Sequence, residues 1–133
     1  MTVIIEKFNI KSNGFDDVVD ILPKLNESFL NTEFQNGLVS VYVKSSLSAL
    51  YMGKSEDFFK LNKFLDDITK TKDLSYNSEF YTLMLNYKAN FFKNSIVLPV
   101  ENRKILIDNQ DRIFFVDFEN SKKIKEIIVS MVN

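Results

Sequence analysis

Cysteine and histidine are both missing from the 133 residues of this chain, and each absence removes a class of chemistry. Without cysteine there are no disulfides, thiolate metal sites or thiol nucleophiles. Without histidine no side chain has an unperturbed pKa near neutrality, and a serine–histidine dyad cannot form. Acid–base chemistry would have to come from a shifted carboxylate or lysine. A metal site would have to be built from oxygen ligands, so no zinc or other transition-metal centre is expected. Tryptophan is also absent, and only three glycines are present, which leaves no glycine-rich phosphate loop.

No apolar run approaches the length of a membrane span. The opening MTVIIEKFNI has neither a basic leader nor a long apolar segment, so the expected location is the cytoplasm. Charge of one sign is lacking too. The 17 basic and 18 acidic residues are interspersed, which argues against a nucleic-acid footprint or an acidic tail. No cofactor is implied.

What is present is enough apolar material for a core: 45% of residues are hydrophobic, with 13 Phe among them. The length suits one domain over residues 1–133. Val3–Ile10 reads as a strand, Ser12-Asn13-Gly14 as a turn, and Phe15–Val19 as a short extension. Asp20 is placed to cap a helix running to about Leu30, with Pro23 in its first turn. Leu38–Val43 and Leu47–Met52 are β-rich, the second continuing or pairing with the first.

The period then changes to helical. Phe58, Leu61, Phe64, Leu65 and Ile68 share one face of a helix capped by Ser55. Phe80, Leu83, Met84, Tyr87 and Phe91 mark a third helix, after a polar connection at Thr69–Tyr76. Ser95–Val100, Lys104–Ile107, Ile113–Phe118 and Ile124–Val132 are four further strands. Clustered strands with short turns predict an α+β protein with an antiparallel sheet and about three helices.

The local motifs have plain readings. Asp16, Asp17 and Asp20 fit turn and cap chemistry as well as cation binding. Glu56, Asp57, Asp66 and Asp67 read as a solvated helix face. Ser45, Ser46 and Ser48 form a hydroxyl run suited to a strand end, to an anion, or to a serine–lysine nucleophile. The pairs Phe58-Phe59, Phe91-Phe92 and Phe114-Phe115 read as a core residue beside its neighbour.

Taken whole, the sequence resembles the YjbQ-like family. The likeness runs through GFDDVVDIL, GLVSVYVKSSLSALYMGKSEDFFKLNKFLDDI and KANFFKNSIVLPVENRKILIDNQDRIFFVDF. Lys88, Ala89, Ser95, Leu98, Pro99, Leu106, Ile113 and Phe115 stand where the family pattern expects them. The signature positions depart from it. The family's His-Thr-Thr is Ser45-Ser46-Leu47, and its Asn-Glu pair is Gly53-Lys54. The histidine before Lys-Ala is Asn86, and a Gly-Thr-Trp-Gln turn becomes Asp108 to Asp111. The strand glutamate is Asp117, and the Gly-Pro-Arg after it is Asn120-Ser121-Lys122.

The resemblance implies a compact α+β fold with antiparallel, β-sandwich-like sheets, a homotrimer, and a polar pocket near the subunit interface. It also implies secondary thiamine phosphate synthase activity, the joining of a thiazole phosphate to a pyrimidine diphosphate. With both histidines and the carboxylate replaced, no catalytic residue carries over. Ser45, Ser46, Lys54, Asn86, Asp117 and Lys122 remain as the vestigial pocket. Three readings follow: a non-catalytic oligomer or binder of a small anionic ligand, a rewired enzyme, or an unrelated use of the domain. The rewired enzyme would use Asp117 as acid or base, Lys54 or Lys122 for phosphate, and Ser45 or Ser46 as donors.

Overall fold

A computed structural model describes residues 1–133. The chain runs β1 (Val3–Ser12), β2 (Asp17–Asp20), α1 (Leu22–Leu30), β3 (Gly37–Val43), β4 (Ser48–Gly53), α2 (Ser55–Thr69), a 3-10 turn (Thr71–Asp73) and α3 (Glu79–Phe92). It ends in β5 (Ser95–Glu101), β6 (Lys104–Ile105), β7 (Arg112–Asp117) and β8 (Lys123–Val132). The expected α+β class, antiparallel sheets and three helices are all present. A five-stranded sheet has the order β1-β8-β3-β5-β6, and a three-stranded sheet the order β2-β7-β4.

Side-chain alternation along the strands builds three layers. Val39, Val41, Val43, Ile127, Val129 and Met131 point inward from the large sheet. Leu50, Ile113 and Phe115 of the small sheet meet them. The alternate residues Ala49, Phe114 and Val116 face the other way and pack under α2 and α3. β7 therefore lies between two cores and is buried from Ile113 to Asp117. Helix α1 adds Leu22, Leu25 and Phe29 to the inter-sheet core. Its Pro23 falls in the first turn, and the Asp20 carboxylate accepts the Leu22 amide at 3.1 Å.

Several local expectations need correction. β4 neither extends nor pairs with β3. The loop Lys44–Leu47 carries the chain into the other sheet, where β4 pairs with β7. Ser55 lies inside α2, whose N-cap is Lys54, with no side-chain capping bond. The strand expected over Lys104–Ile107 is paired only at Lys104 and Ile105.

The larger correction concerns the two long helices. Phe58 and Leu65 are buried, but Leu61, Phe64 and Ile68 face outward. On α3 the buried face is Tyr81, Leu85, Lys88, Ala89 and Phe92. Met84 is half-buried, while Phe80, Leu83, Tyr87 and Phe91 are exposed. Both helices were rotated relative to the apolar-stripe expectation because each directs polar groups inward: Asn62 and Asp66 from α2, and Lys88 from α3. Asp66 is consequently not part of a solvated face, unlike Glu56, Asp57 and Asp67. Each aromatic pair does split as core and neighbour on the helices, whereas Phe114 and Phe115 are both buried, in opposite cores.

Candidate functional site

The end of the inter-sheet layer is closed by polar residues. Asp117 continues the inward parity of Ile113 and Phe115, and it is fully buried. Ser12 and Lys125 reach it from the large sheet, and Ser48 reaches it from β4, its register partner. The Ser12 hydroxyl donates to Asp117 Oδ2 at 2.5 Å, and the Ser48 hydroxyl donates to Oδ1 at 3.1 Å. The Glu119 amide donates to the same Oδ1 at 3.1 Å. Lys125 Nζ lies 3.7 Å from that oxygen and donates to Glu119 Oε1 at 3.0 Å and to Ser45 Oγ at 3.1 Å. Ser45 Oγ is 3.1 Å from Ser48 Oγ.

Glu119 is held on its other oxygen by Ser121 at 3.0 Å and Lys123 at 2.6 Å. Burial pushes its carboxyl up, but hydrogen bonds from Lys123, Lys125 and Ser121 outweigh this and bring its pKa down to about 2. The same contact with Glu119 raises the pKa of Lys123. Two carboxylates, Asp117 and Glu119, thus face two ammonium groups, Lys123 and Lys125.

The six positions singled out in the sequence fall in four places. Ser45 and Asp117 belong to this network. Ser46 and Asn86 adjoin it: the Asn86 amide donates to the Ser46 carbonyl at 3.0 Å and borders an open cleft floored by Leu47 and Thr82. Lys122 is exposed on the neighbouring β7–β8 turn, beside Lys11 and Asn13. Lys54 is exposed at the opposite end of β4, beyond Gly53, which pairs with Arg112. Within one chain Lys54 therefore does not join the other five.

The network also contains residues that motif reading missed: Ser12, Ser48, Glu119 and Lys125. Lys125 carried a signal. It shares the inward parity of Ile127, Val129 and Met131 along β8, so a charge there requires a buried partner.

A second buried charge cluster lies under the helices. Lys88 Nζ donates to Asp66 at 2.7 Å, lies 3.5 Å from Asp16, and sits 4.7 Å from the centroid of the Phe118 ring. Asn62 donates to Asp16 at 3.2 Å, while its own Oδ1 is buried without a partner. Phe15, Tyr76 and Tyr81 wall a cavity of about 200 Å³ over this cluster. Burial raises the Tyr81 pKa, with Tyr76, Asp16 and Asp66 adding to it. Asp16 thus binds a lysine and an asparagine rather than serving only a turn.

The antiparallel two-sheet scaffold with helices on one side, and a polar plug where the family signature falls, define a YjbQ-type protein. The family model for UPF0047 protein YjbQ-like matches residues 6–133, and the chain belongs to that family. Its fold is similar to that of a YbjQ-like protein of unknown function from Sulfolobus solfataricus, at 18% identity and TM-score 0.82, covering 98% of this chain and 96% of the other. It is similar to an uncharacterized conserved protein of the yjbq/upf0047 family from Clostridium acetobutylicum, at 15% identity and TM-score 0.83, covering 96% and 99%. A hypothetical protein from Aeropyrum pernix shares 18% identity and a TM-score of 0.82, with 98% of each chain covered. No curated protein matches the sequence.

Proposed function

We propose that this chain is a non-catalytic, oligomeric member of the YjbQ-like family. The observation that carries this reading is the engagement of Asp117. At the position of the family's strand glutamate, its carboxylate accepts from two serine hydroxyls and one amide and lies against Lys125. A general acid or base must change protonation near the working pH and reach substrate. Asp117 is fully buried, and Glu119 beside it is held at about 2. Asn86, at the histidine position, can orient a ligand but cannot shuttle a proton.

The reading as a rewired enzyme would need Lys54 and Lys122 to grip one phosphorylated substrate. Their placement beyond opposite ends of the small sheet speaks against this within a single chain. A small anion drawn to Lys11 and Lys122 is compatible with a binding role.

A homotrimer is the assembly that the resemblance implies. The outer face of the large sheet supports an oligomer, since Val3, Ile5, Leu38, Tyr42 and Val97 are exposed on it. Antiparallel sheets that face water are ordinarily polar on that side. An apolar outer face marks a contact surface.

The catalytic part of the proposal is tested by complementation of a thiamine-requiring strain, beside a family member that retains the histidines. Growth with the control and none with this folded, expressed chain is the expected result. Equal rescue would overturn it. For the assembly, Val97→Asp is expected to lower the native mass to about one third by light scattering. An unchanged mass would refute the sheet-face trimer.

A further inference from the structure

From the layer of α2 and α3, on the opposite side of the small sheet from the large one, we infer a second self-association surface. It takes another copy of this chain in a two-fold, face-to-face contact. The surface is aromatic. Phe59 and Phe64 of α2, and Phe80, Tyr87 and Phe91 of α3, are each 50–59% exposed. Ring contacts tie the two helices together: Phe59 to Phe58 at 5.5 Å, Phe58 to Phe92 at 5.1 Å, and Phe92 to Phe91 at 5.4 Å. Phe59 and Phe91 are thus the outward ends of a row rooted in the core, while Phe64, Phe80 and Tyr87 stand exposed on the same two helices.

Area argues for a protein-sized occupant. At roughly 200 Å² for each ring side chain, half exposure of five leaves on the order of 500 Å² of ring surface. The largest apolar patch on a whole monomer is typically about 300–600 Å². The aliphatic side chains between the rings, Leu83 among them, extend the face toward the roughly 800 Å² per partner of a stable interface.

Charge argues for a second copy. Between Lys54 and Phe92 the exposed ionic residues are five lysines and five carboxylates, interspersed with the rings as at Lys60, Lys63 and Asp67. A surface of balanced, mixed sign carries no net repulsion against a second copy, and its interspersed lysines and carboxylates supply both partners of the ion pairs at the rim of a two-fold contact. The same balance disfavours an anionic lipid surface, which recruits helices of net positive charge.

The chain without cysteine allows a clean test. Leu83→Glu is expected to bring the native mass of the full chain to about half by light scattering, with circular dichroism unchanged. The separate Val97→Asp variant reports on the sheet-face contact, so failure of one surface is distinguishable from failure of the other. Phe64→Cys provides a second readout with a single thiol. Its alkylation by a maleimide should slow as protein concentration rises. Unchanged mass in Leu83→Glu together with concentration-independent alkylation would overturn the inference. So would sedimentation of the native chain with phosphatidylglycerol vesicles that Leu83→Glu abolishes, which would assign the face to lipid.

Discussion

Lys125 of β8 and Glu119, the second residue after β7, join the two sheets through a 3.0 Å ion pair buried at the open end of the sandwich. Two charges withdrawn from water are tolerated because each has further partners. Lys125 also reaches Ser45 and Asp117, and Glu119 also reaches Ser121 and Lys123. Removing Lys125 leaves the fully buried Asp117 without its one ion-pair partner and Glu119 with Lys123 alone. Lys125→Met is therefore expected to destabilise the fold by about 3–5 kcal/mol in urea unfolding. A loss below about 1 kcal/mol would show that water already reaches the carboxylates.

The depressed Glu119 carboxyl links this network to pH. Its folded pKa of about 2 lies below the ordinary value of 4.5, so the ionised form is favoured by folding. The stabilisation is fully present above the unfolded pKa and is lost as pH falls through the window from 4.5 towards 2. That shift corresponds to about 3 kcal/mol at neutral pH. Glu119→Gln should flatten the acid limb of the stability curve. An identical acid limb in the variant would place the acid sensitivity elsewhere.

Lys88 discriminates between its two carboxylates. Asp66 is buried and 2.7 Å away, whereas the Asp16 side chain is 39% exposed and 3.5 Å away. Asp66→Asn is expected to cost about 3 kcal/mol or more, and Asp16→Asn about 1 kcal/mol or less from its ion pair, which solvent screens. The reverse order in thermal or chemical unfolding would mean that Asp16 is the principal counter-ion.

Gly14 opens the turn that delivers Asp16 to Lys88. It has φ +70, and a Cβ built there would lie 2.6 Å from the Glu119 carbonyl oxygen. Phe15 and Asp16 also hold positive φ, pinned by hydrogen bonds that their amides donate to the Glu119 and Asp117 carbonyls at 2.7 and 2.9 Å. Gly14→Ala is expected to destabilise by more than about 1 kcal/mol. A wild-type melting temperature in that variant would show that the turn can move without disturbing either charge cluster.

The elements themselves were legible in the chain. Strand alternation in β1, β3 and β8 and the shift to a helical period at Phe58 depend on local backbone geometry, which sequence spacing records directly. The family resemblance was likewise visible without coordinates, and Lys125 betrayed its burial by its parity in β8. Which side of α2 and α3 is covered was not legible. Periodicity finds an apolar stripe but does not say what lies against it, and here the covered side holds Lys88 and Asp66 while Phe64 and Tyr87 face out. The same holds for the polar plug. Ser12, Ser48, Asp117 and Lys125 are far apart along the chain and meet only because the two sheets pack together, with β4 crossing to the second sheet to add Ser48. Local propensity determined the elements; the pairing of distant strands decided which polar groups would share a buried space and therefore had to satisfy one another.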